Sequence, residues 1–207
     1  MIAIVDYGMG NLRSVAKALE RAGAKVSLLS APPAGLRRAA GIVLPGVGAF
    51  GDAMANLRSA GWDGWIREAI AAGTPFLGIC LGFQLLFERS EESGGVRGLA
   101  VIPGEVRRLS ATVTVPHMGW NQLRLPRPTP LFAGVEGGAY VYFVHSYRVA
   151  SDDASRVAAF TDYGGEFVSA IAEGNLWGVQ FHPEKSQAVG LRILSNFVGM
   201  TKTMGKG

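Results

Sequence analysis

The only cysteine of the chain, Cys80, lies between two glycines, Gly78 and Gly82. An apolar run over 76–79 predicts a buried strand before it, and the residues over 81–88 follow at helical spacing. This pattern is typical of a nucleophile elbow, in which a strand turns sharply into a helix and flanking glycines prevent clashes with neighbouring backbone. The N–H groups at the start of such a helix favour a thiolate. A buried structural thiol is the alternative, since free cysteines are commonly buried.

A histidine and a glutamate two residues apart are the candidate base and its partner. His182 ends an apolar strand predicted over 176–181, a position at which open α/β sheets often carry catalytic side chains. Pro183 biases His182 toward an extended backbone, in which residues two apart face the same side. Glu184 can therefore hold the imidazole, which with Cys80 gives a nucleophile, a base and an orienting carboxylate. Either residue alone would more often be a structural histidine or a solvated charge.

A glycine-rich segment over 44–51 follows another apolar strand and is the third candidate. Its backbone N–H groups could stabilise a developing oxyanion beside the elbow, together with the amide of Leu81. A plain strand-to-helix turn is the alternative. No Gly-Lys-Ser/Thr follows the segment, which excludes a P-loop. The turn over 6–11 contains only a Gly-x-Gly, and we interpret it as a tight turn rather than a dinucleotide site.

Strands and helices that alternate in the first half of the chain must position these residues. They predict a parallel sheet with helices on both faces. The predicted strands are 2–5, 25–29, 42–44, 76–80 and 176–181, and the predicted helices are 12–22, 52–72 with a break at Gly61, and 188–198. Short alternating runs predict additional antiparallel strands in the second half, over 106–109, 122–125, 140–144, 156–161 and 167–172. We expect one α/β domain over 1–207, with an open, mostly parallel sheet and a flexible tail over 201–207.

The composition excludes several classes of protein. With 207 residues, of which 48% are apolar and 17% charged, the chain suits a globular domain with a large core. The net charge is +4, but the arginines are scattered, with doublets at 37–38 and 107–108. A nucleic-acid site would need a concentrated basic stripe or a stacking platform, so we expect no nucleic-acid partner. No apolar run approaches the ~18 residues of a membrane helix, so no membrane partner is expected. A single cysteine excludes an intrachain disulfide, and the start of the chain lacks the basic region of a signal peptide, so we expect a cytoplasmic protein.

The three candidate segments follow one order along the chain: Pro-Gly-x-Gly over 45–48, Gly-x-Cys-x-Gly-x-Gln over 78–84 and Phe-His-Pro-Glu over 181–184. They strongly resemble the class I, or triad, glutamine amidotransferases, over essentially the whole chain. The resemblance implies the fold of that family, L-glutamine as substrate, and neither cofactor nor metal. It implies the following site: Cys80 as nucleophile, His182 as base, Glu184 as its support, the backbone of Leu81, Val47 and Gly48 as oxyanion hole, and Gly46, Gln84, Ser146 and Tyr147 as substrate-binding residues.

Four further segments, over 6–11, 116–121, 142–147 and 182–186, narrow the resemblance to the glutaminase subunits that serve histidine biosynthesis. This implies a heterodimer with a (βα)8-barrel cyclase or synthase subunit, which captures the ammonia and converts an aminoimidazole-ribonucleotide precursor. It also suggests that the glutaminase is nearly silent alone and is switched on by a peptide flip in the glycine-rich segment, at Val47. The implied partner surface includes Pro116, His117, Trp120, Tyr142 and Lys185.

Three other functions stay open from the sequence. Another triad glutaminase, such as one that serves pyridoxal phosphate or anthranilate synthesis, would differ in its partner and in the segment over 116–121. A non-catalytic binding module of the same fold would not need Cys80, His182 and Glu184. An elbow-cysteine hydrolase or peptidase would not need a glutamine-binding residue such as Gln84.

Overall fold

The centre of one large sheet carries all three candidate segments. A computed structural model describes residues 1–34, 39–151 and 153–204, so the arginine doublet at 37–38 lies outside the described residues. The elements of the first half are β1 (Ile2–Val5), α1 (Leu12–Arg21), β2 (Val26–Leu29), β3 (Gly41–Gly46), α2 (Phe50–Ser59), α3 (Trp62–Ala71), β4 (Phe76–Cys80) and α4 (Leu81–Gln84). Those of the second half are β5 (Phe87–Ser90), β6 (Val96–Arg97), β7 (Ile102–Arg108), β8 (His117–Gln122), β9 (Tyr140–His145), β10 (Tyr147–Ala150), β11 (Val157–Asp162), β12 (Glu166–Glu173), β13 (Leu176–Val179) and α5 (Gln187–Met204).

The strands pair into one large sheet and one small one. Within the described part of the chain, eleven strands form the large sheet in the order β2-β1-β3-β4-β13-β12-β10-β7-β5-β6, with β11 paired to β12. The pairs from β2 to β13 are parallel, and those from β13 to β7 are antiparallel. β8 and β9 form a separate antiparallel pair. The predicted open α/β sheet with additional antiparallel strands is therefore confirmed.

Helices cover both faces of the parallel half. α2 and α3 bury Leu57, Trp62 and Ile66 against one face, and α1 and α5 bury Leu19 and Phe197 against the other. β3, β4 and β13 are buried along their whole length between these layers. A strand covered on both faces needs no polar side, which explains why these strands are continuous apolar runs in the sequence.

The three central strands bring the candidate segments to one edge. β3, β4 and β13 are neighbours, with Gly46 opposite Cys80 and Val179 opposite Ile79. All three run in the same direction, so the glycine-rich segment, the elbow and the histidine follow their carboxyl ends. This edge is where open α/β sheets bind ligands.

The helix after Cys80 is much shorter than predicted. α4 ends at Gln84 after one turn, and Phe87 begins β5, whereas the sequence predicts a helix to Glu88. Leu85, Leu86 and Phe87 are all fully buried, and β5 pairs with β7 at the far side of the sheet. A short, fully buried apolar run fits a helix or a strand equally well, so periodicity alone could not separate the two.

The second half departs from the predictions in three further places. The predicted strand over 122–125 is wrong: β8 precedes it, and Arg124 contributes only an isolated bridge to Phe160. The short strands β6 and β10 were not predicted at all. The tail predicted over 201–207 does not begin at Thr201, because α5 continues to Met204 and Thr201 is buried, with its hydroxyl donating to the carbonyl of Val198 at 2.8 Å. Residues 205–207 lie outside the described part of the chain. In the described ranges, no helix combines the length and the apolar character needed to span a membrane.

Candidate active site

Cys80 is held in an unusual backbone conformation at the junction of β4 and α4. Its φ is 54° and its ψ is −109°, outside the regions that residues with a side chain favour. Such a conformation costs on the order of 1–3 kcal/mol and persists only where surrounding packing maintains it. Gly82 allows that packing, because a Cβ there would lie 1.8 Å from the carbonyl oxygen of Leu44 in β3. The predicted elbow is therefore present, although the single turn of α4 makes the helix-dipole effect on the sulfur small.

His182 and Glu184 form a buried pair. Nδ1 of His182 lies 2.8 Å from Oε1 of Glu184, and the two side chains are 3% and 1% exposed. The geometry differs from the prediction: β13 ends at Val179, and Pro183–Lys185 form a 3₁₀ turn instead of continuing an extended segment. The hydroxyl of Ser186 donates to the carbonyl of His182 at 2.6 Å and closes this turn. The turn, and not strand alternation, brings the carboxylate to the imidazole.

The charges around His182 favour its protonated form. Burial lowers the pKa of His182, but the neighbouring Cys80 sulfur and the Glu184 carboxylate together raise it above its ordinary value. Since Glu184 binds Nδ1, proton exchange with a ligand or the thiol falls to Nε2. Among the described residues Nε2 has no hydrogen-bond partner, and it is buried. The arrangement can therefore take a proton from a nearby thiol and stabilise the resulting imidazolium.

The sulfur of Cys80 contacts two groups that the sequence did not single out. The thiol can donate to the carbonyl of Val144, 3.9 Å away, and it accepts from Nε2 of Gln180 at 3.8 Å. Cys80 is 6% exposed, and that exposure faces a cavity. A nucleophile that is buried except toward a cavity can react only with a ligand bound there.

The cavity brings most of the predicted residues together. Its volume is about 360 Å³, which suits a small ligand. It is lined by Val47, Gly48, Cys80, Leu81, Gln84, Glu92, Pro116, Val144, His145, Ser146, Tyr147 and His182. Gly46 is buried at the end of β3, and Glu184 is buried behind His182, so these two predicted residues support the cavity without lining it.

Glu92 is the lining residue that sequence reasoning missed. It lies in the 3₁₀ turn Glu92–Gly94, and its Oε2 accepts the backbone N–H of Phe50 at 2.9 Å, at the start of α2. Of the described residues that line the cavity, it is the one with a carboxylate. No motif marks it, and it follows β5, a strand whose first two residues the sequence predicts as the end of a helix.

The side chain of Gln84 has a fixed orientation. Its Nε2 donates to the carbonyl of Tyr147 and to Oε1 of Gln180, both at 2.9 Å. Both N–H groups of the amide are thus used, and Oε1 is the atom that a ligand can approach. Gln84 and Glu92 therefore both offer acceptor atoms, which suits a ligand with an ammonium group.

Comparison with known proteins decides the family. Residues 3–200 match the family described as "Glutamine amidotransferase class-I". The chain belongs to this family. Imidazole glycerol phosphate synthase subunit HisH of Moorella thermoacetica is 55% identical over 204 residues, covering 99% of this chain and 97% of the relative. The protein of the same name in Geobacillus kaustophilus is 50% identical over 213 residues and covers both chains completely.

Solved structures agree on the fold of this glutamine amidotransferase. The structure of PurLQS from Thermotoga maritima has a TM-score of 0.76 at 22% identity, with 96% of this chain and 97% of that chain covered. The crystal structure of a GMP synthase component from Thermoplasma acidophilum has a TM-score of 0.73 at 20% identity, with 98% and 94% covered. The predicted family and its fold are thus confirmed.

The glycine-rich loop of this amidotransferase is open to solvent. Val47 is 42% exposed, and Gly48 has a φ of +96°, a region that glycine adopts far more easily than other residues. Both residues line the cavity, as do Cys80 and Leu81. The loop therefore borders the same cavity as the sulfur, and its glycine has a backbone conformation that other residues rarely adopt.

A surface beside the cavity exposes apolar side chains. We call the outward side of the β8–β9 pair the aromatic face: Met118, Trp120, Tyr140 and Tyr142. Trp120 and Tyr142 are in edge-to-face contact, with ring centroids 6.0 Å apart, and Nζ of Lys185 lies 5.7 Å from the centroid of the Tyr142 ring. His117 points the other way and is 3% exposed, so its side chain is not part of the aromatic face. In β8 the residues alternate between inside and outside, and His117 occupies an inward position.

Proposed function

We propose that the chain is the glutamine-hydrolysing subunit of an imidazole glycerol phosphate synthase and acts through a thioester on Cys80. The observation that carries the proposal is the strained Cys80 elbow, whose sulfur and the His182–Glu184 pair meet at one cavity. The names of the relatives support the biosynthetic role, since proteins 50% and more identical over nearly the whole chain are called subunit HisH of that synthase.

In the proposed mechanism His182 accepts the thiol proton at Nε2, and the thiolate of Cys80 attacks the side-chain carboxamide of glutamine. The C–N bond then breaks, and the imidazolium gives its proton to the leaving ammonia. Water attacks the thioester in the second half-reaction, again with His182 as base, and the C–S bond breaks to release glutamate. Glu184 orients the imidazole and stabilises its charged form throughout.

Backbone N–H groups would stabilise the oxyanion that forms at each step. We assign this role to Leu81, and to Val47 or Gly48 after rotation of the peptide between them. The positive φ of Gly48 and the exposure of Val47 support a loop that can exchange between two conformations. Such an exchange would let a partner control the reaction.

The head group of glutamine would bind at the far end of the cavity. Oε1 of Gln84 and the Glu92 carboxylate offer acceptors to the α-ammonium group, and the backbone around Ser146 and Tyr147 faces the same space. This refines the role predicted for Gln84: its amide acts as an acceptor, because its donors are already used. Gly46 acts indirectly, by leaving room for the elbow under the cavity.

The partner would be a (βα)8-barrel synthase subunit that receives the ammonia and makes imidazole glycerol phosphate and AICAR. The aromatic face suits this partner because it lies beside the cavity and carries the exposed Trp120 and the half-buried Tyr142, residue types that dominate interface energies. Pro116 joins this surface to the cavity, which it also lines. We further propose that residues 1–207 form one domain, which the continuous sheet supports, and that it works in the cytoplasm, which its single free cysteine supports.

The proposal is tested by ammonia release from glutamine, measured for the chain alone, with the barrel synthase, and with the synthase and its nucleotide ligand. Wild type is compared with Cys80→Ala. We expect release that depends on Cys80 and rises strongly with the liganded synthase.

The other outcomes point to specific alternatives. Release that depends on Cys80 but does not respond to this synthase would assign the chain to another biosynthetic amidotransferase. No release under any condition would leave a non-catalytic binding module, and the proposed function would be wrong.

A further inference from the structure

A buried amide that the proposed mechanism does not use joins the nucleophile to the substrate-binding residue. Gln180 is fully buried, and its Nε2 donates to the sulfur of Cys80 at 3.8 Å. Its Oε1 accepts from Nε2 of Gln84 at 2.9 Å. One amide group therefore contacts both the reacting atom and the side chain that we assign to the head group of glutamine.

This contact is the end of a longer chain of hydrogen bonds. The second N–H of Gln84 donates to the carbonyl of Tyr147, and Nδ1 of His145 donates to the same carbonyl at 2.8 Å. Nε2 of His145 lies 2.9 Å from Nδ1 of His117. Nε2 of His117 lies 3.3 Å from the amide nitrogen of Asn121, which lies in β8. The chain thus extends from the small sheet to the sulfur.

Each link of the chain has only one possible direction. A carbonyl oxygen accepts only, so Nδ1 of His145 carries a proton and its Nε2 must accept from His117. Nε2 of His117 then accepts from Asn121. Both histidines are buried, and burial lowers the pKa of each, so both rings stay neutral. A proton added to either ring would place two donors against each other.

The same logic fixes the amide of Gln180. Since both N–H groups of Gln84 are donors, Gln180 must turn its oxygen to Gln84 and its N–H to the sulfur. The reverse orientation would place its oxygen against a thiolate and two NH₂ groups against each other. A donor aimed at the sulfur stabilises the anion that attacks glutamine.

We propose that Gln180 is a positioning residue for glutamine hydrolysis. It orients the sulfur of Cys80 and the acceptor oxygen of Gln84 toward one cavity. The neutral His117–His145 pair fixes the direction of the hydrogen bonds at the other end of the series. This inference rests on the proposed function. It adds a residue that spans the nucleophile and the substrate side chain, so its loss should affect both kcat and KM.

Two variants of Gln180 separate these effects. Gln180→Met keeps the buried volume and removes both hydrogen bonds. Gln180→Glu keeps an acceptor for Gln84 and removes the N–H that faces the sulfur. Ser169→Ala is the matched control, because Ser169 is equally buried, its backbone carbonyl accepts the N–H of Gln180, and its hydroxyl has no partner among the described residues.

We expect distinct kinetic signatures in the complex with the liganded synthase. Gln180→Met should lower kcat about tenfold to a hundredfold and raise KM by a similar factor, since each lost hydrogen bond involves a charged or buried group. Gln180→Glu should lower kcat by a similar factor and change KM by less than about threefold. Ser169→Ala should match wild type within about twofold.

Alkylation of Cys80 by iodoacetamide gives a second readout that needs no turnover. Without the N–H donor the thiolate is less favoured, so the pH profile of alkylation should move to higher pH in both Gln180 variants and stay unchanged in Ser169→Ala. A residue with a purely structural role would change the melting temperature and leave this profile in place.

The outcomes separate the two proposals. If wild type hydrolyses glutamine and both Gln180 variants keep its kcat, KM and alkylation profile, the role of Gln180 is wrong and the proposed function stands. If wild type releases no ammonia, the proposed function fails, and the kinetic role of Gln180 fails with it. If Gln180→Met does not fold, Gln180→Glu decides alone: an unchanged kcat and an unchanged profile overturn the inference.

Discussion

At the scale of single residues, the chemistry depends on a few side chains whose surroundings leave them one orientation. His182 is bound through Nδ1 to Glu184, and Gln84 has both N–H groups engaged. In each case the remaining atom, Nε2 or Oε1, is the one available to a ligand. The hydrogen bonds within the protein therefore decide which atom of each side chain can contact a ligand.

The first prediction concerns Glu184. Glu184→Gln removes the charge that stabilises the His182 imidazolium, so kcat for ammonia release should fall at least about a hundredfold, with little change in KM. Steady-state kinetics in the presence of the liganded synthase measures this. Glu136→Gln, an exposed change outside the cavity, is the control and should keep wild-type kinetics. Equal losses in both variants would contradict the role of Glu184.

The second prediction concerns stability in acid. The pKa of His117 and of His145 is lowered by burial, so both are neutral in the folded state and gain a proton more readily when the chain unfolds. Their contribution is present above the ordinary histidine pKa of about 6.5 and is lost as the pH falls below it. His117→Gln removes one such group and keeps a polar side chain.

Urea unfolding at a series of pH values from about 7 to about 4.5, a range that includes the ordinary histidine pKa, measures this loss of stability. Stability of wild type should fall with decreasing pH more steeply than that of His117→Gln, by up to about 1.4 kcal/mol per pH unit. The same slope in both proteins would show that His117 is not buried as a neutral ring.

The sequence predicts much of the site at this scale, but not all of it. Cys80, His182 and the glycine-rich loop could be found because each follows an apolar strand and carries a short motif. Glu92, Gln180 and His145 could not be assigned roles, since their positions depend on pairings between distant strands. The direction of the Gln84 amide likewise depends on the carbonyl of Tyr147, 63 residues away along the chain.

At the scale of elements, the active site depends on how closely α4 packs against the sheet. β3, β4 and β13 were predictable because strands covered on both faces are continuous apolar runs. The length of α4 was not predictable, because Leu85, Leu86 and Phe87 are buried in a turn and a strand. Of the two strands in the small sheet, β9 was predicted and β8 was not. β8 contains Gly119 and polar residues, which weaken the strand pattern in the sequence.

The third prediction concerns the contact between α4 and β3. Gly82→Ala would place a Cβ 1.8 Å from the carbonyl oxygen of Leu44, so the elbow must shift. We expect a loss of at least about 2–3 kcal/mol in the free energy of unfolding, or loss of Cys80 reactivity where the protein still folds.

Gly64→Ala is the matched control for this test. Gly64 lies inside α3, and a Cβ there would meet no atom within 4 Å. Because alanine is the better helix former, Gly64→Ala should stabilise the protein by about 0.5–1 kcal/mol. Denaturant unfolding measures both variants, and a Gly82→Ala protein as stable and reactive as wild type would contradict the packing of the elbow.

At the scale of the whole molecule, the cavity and the aromatic face lie side by side. Pro116 and Val144 line the cavity. β8 begins directly after Pro116 and β9 ends directly after Val144, and these two strands carry the exposed Trp120 and the half-buried Tyr142 on their outer side. A partner that covers this face would sit over the cavity mouth and receive the ammonia released there. Composition predicts none of this, because the arrangement depends on two strands that pair with each other outside the main sheet.

The fourth prediction concerns this face. Trp120→Ala should weaken binding of the barrel synthase by about 2 kcal/mol or more, roughly a thirtyfold rise in Kd, because large aromatic side chains contribute most to interface energies. Leu28→Ala is the control, because Leu28 is 48% exposed, similar to Trp120 at 46%, but lies on β2, an edge strand of the large sheet that does not pair with β8 or β9. Titration of labelled synthase measures both, and equal Kd values would exclude the aromatic face as the interface.

The most direct test of the central claim is the reactivity of Cys80 toward a glutamine-like electrophile, compared with iodoacetamide, in the complex with the liganded synthase. The account predicts that the glutamine-like reagent labels the peptide containing Cys80 at least about a hundredfold faster, since binding in the cavity aligns it with the sulfur, and that glutamine protects against it. Equal rates for the two reagents, without protection by glutamine, would show that Cys80 is not the nucleophile of a glutamine site.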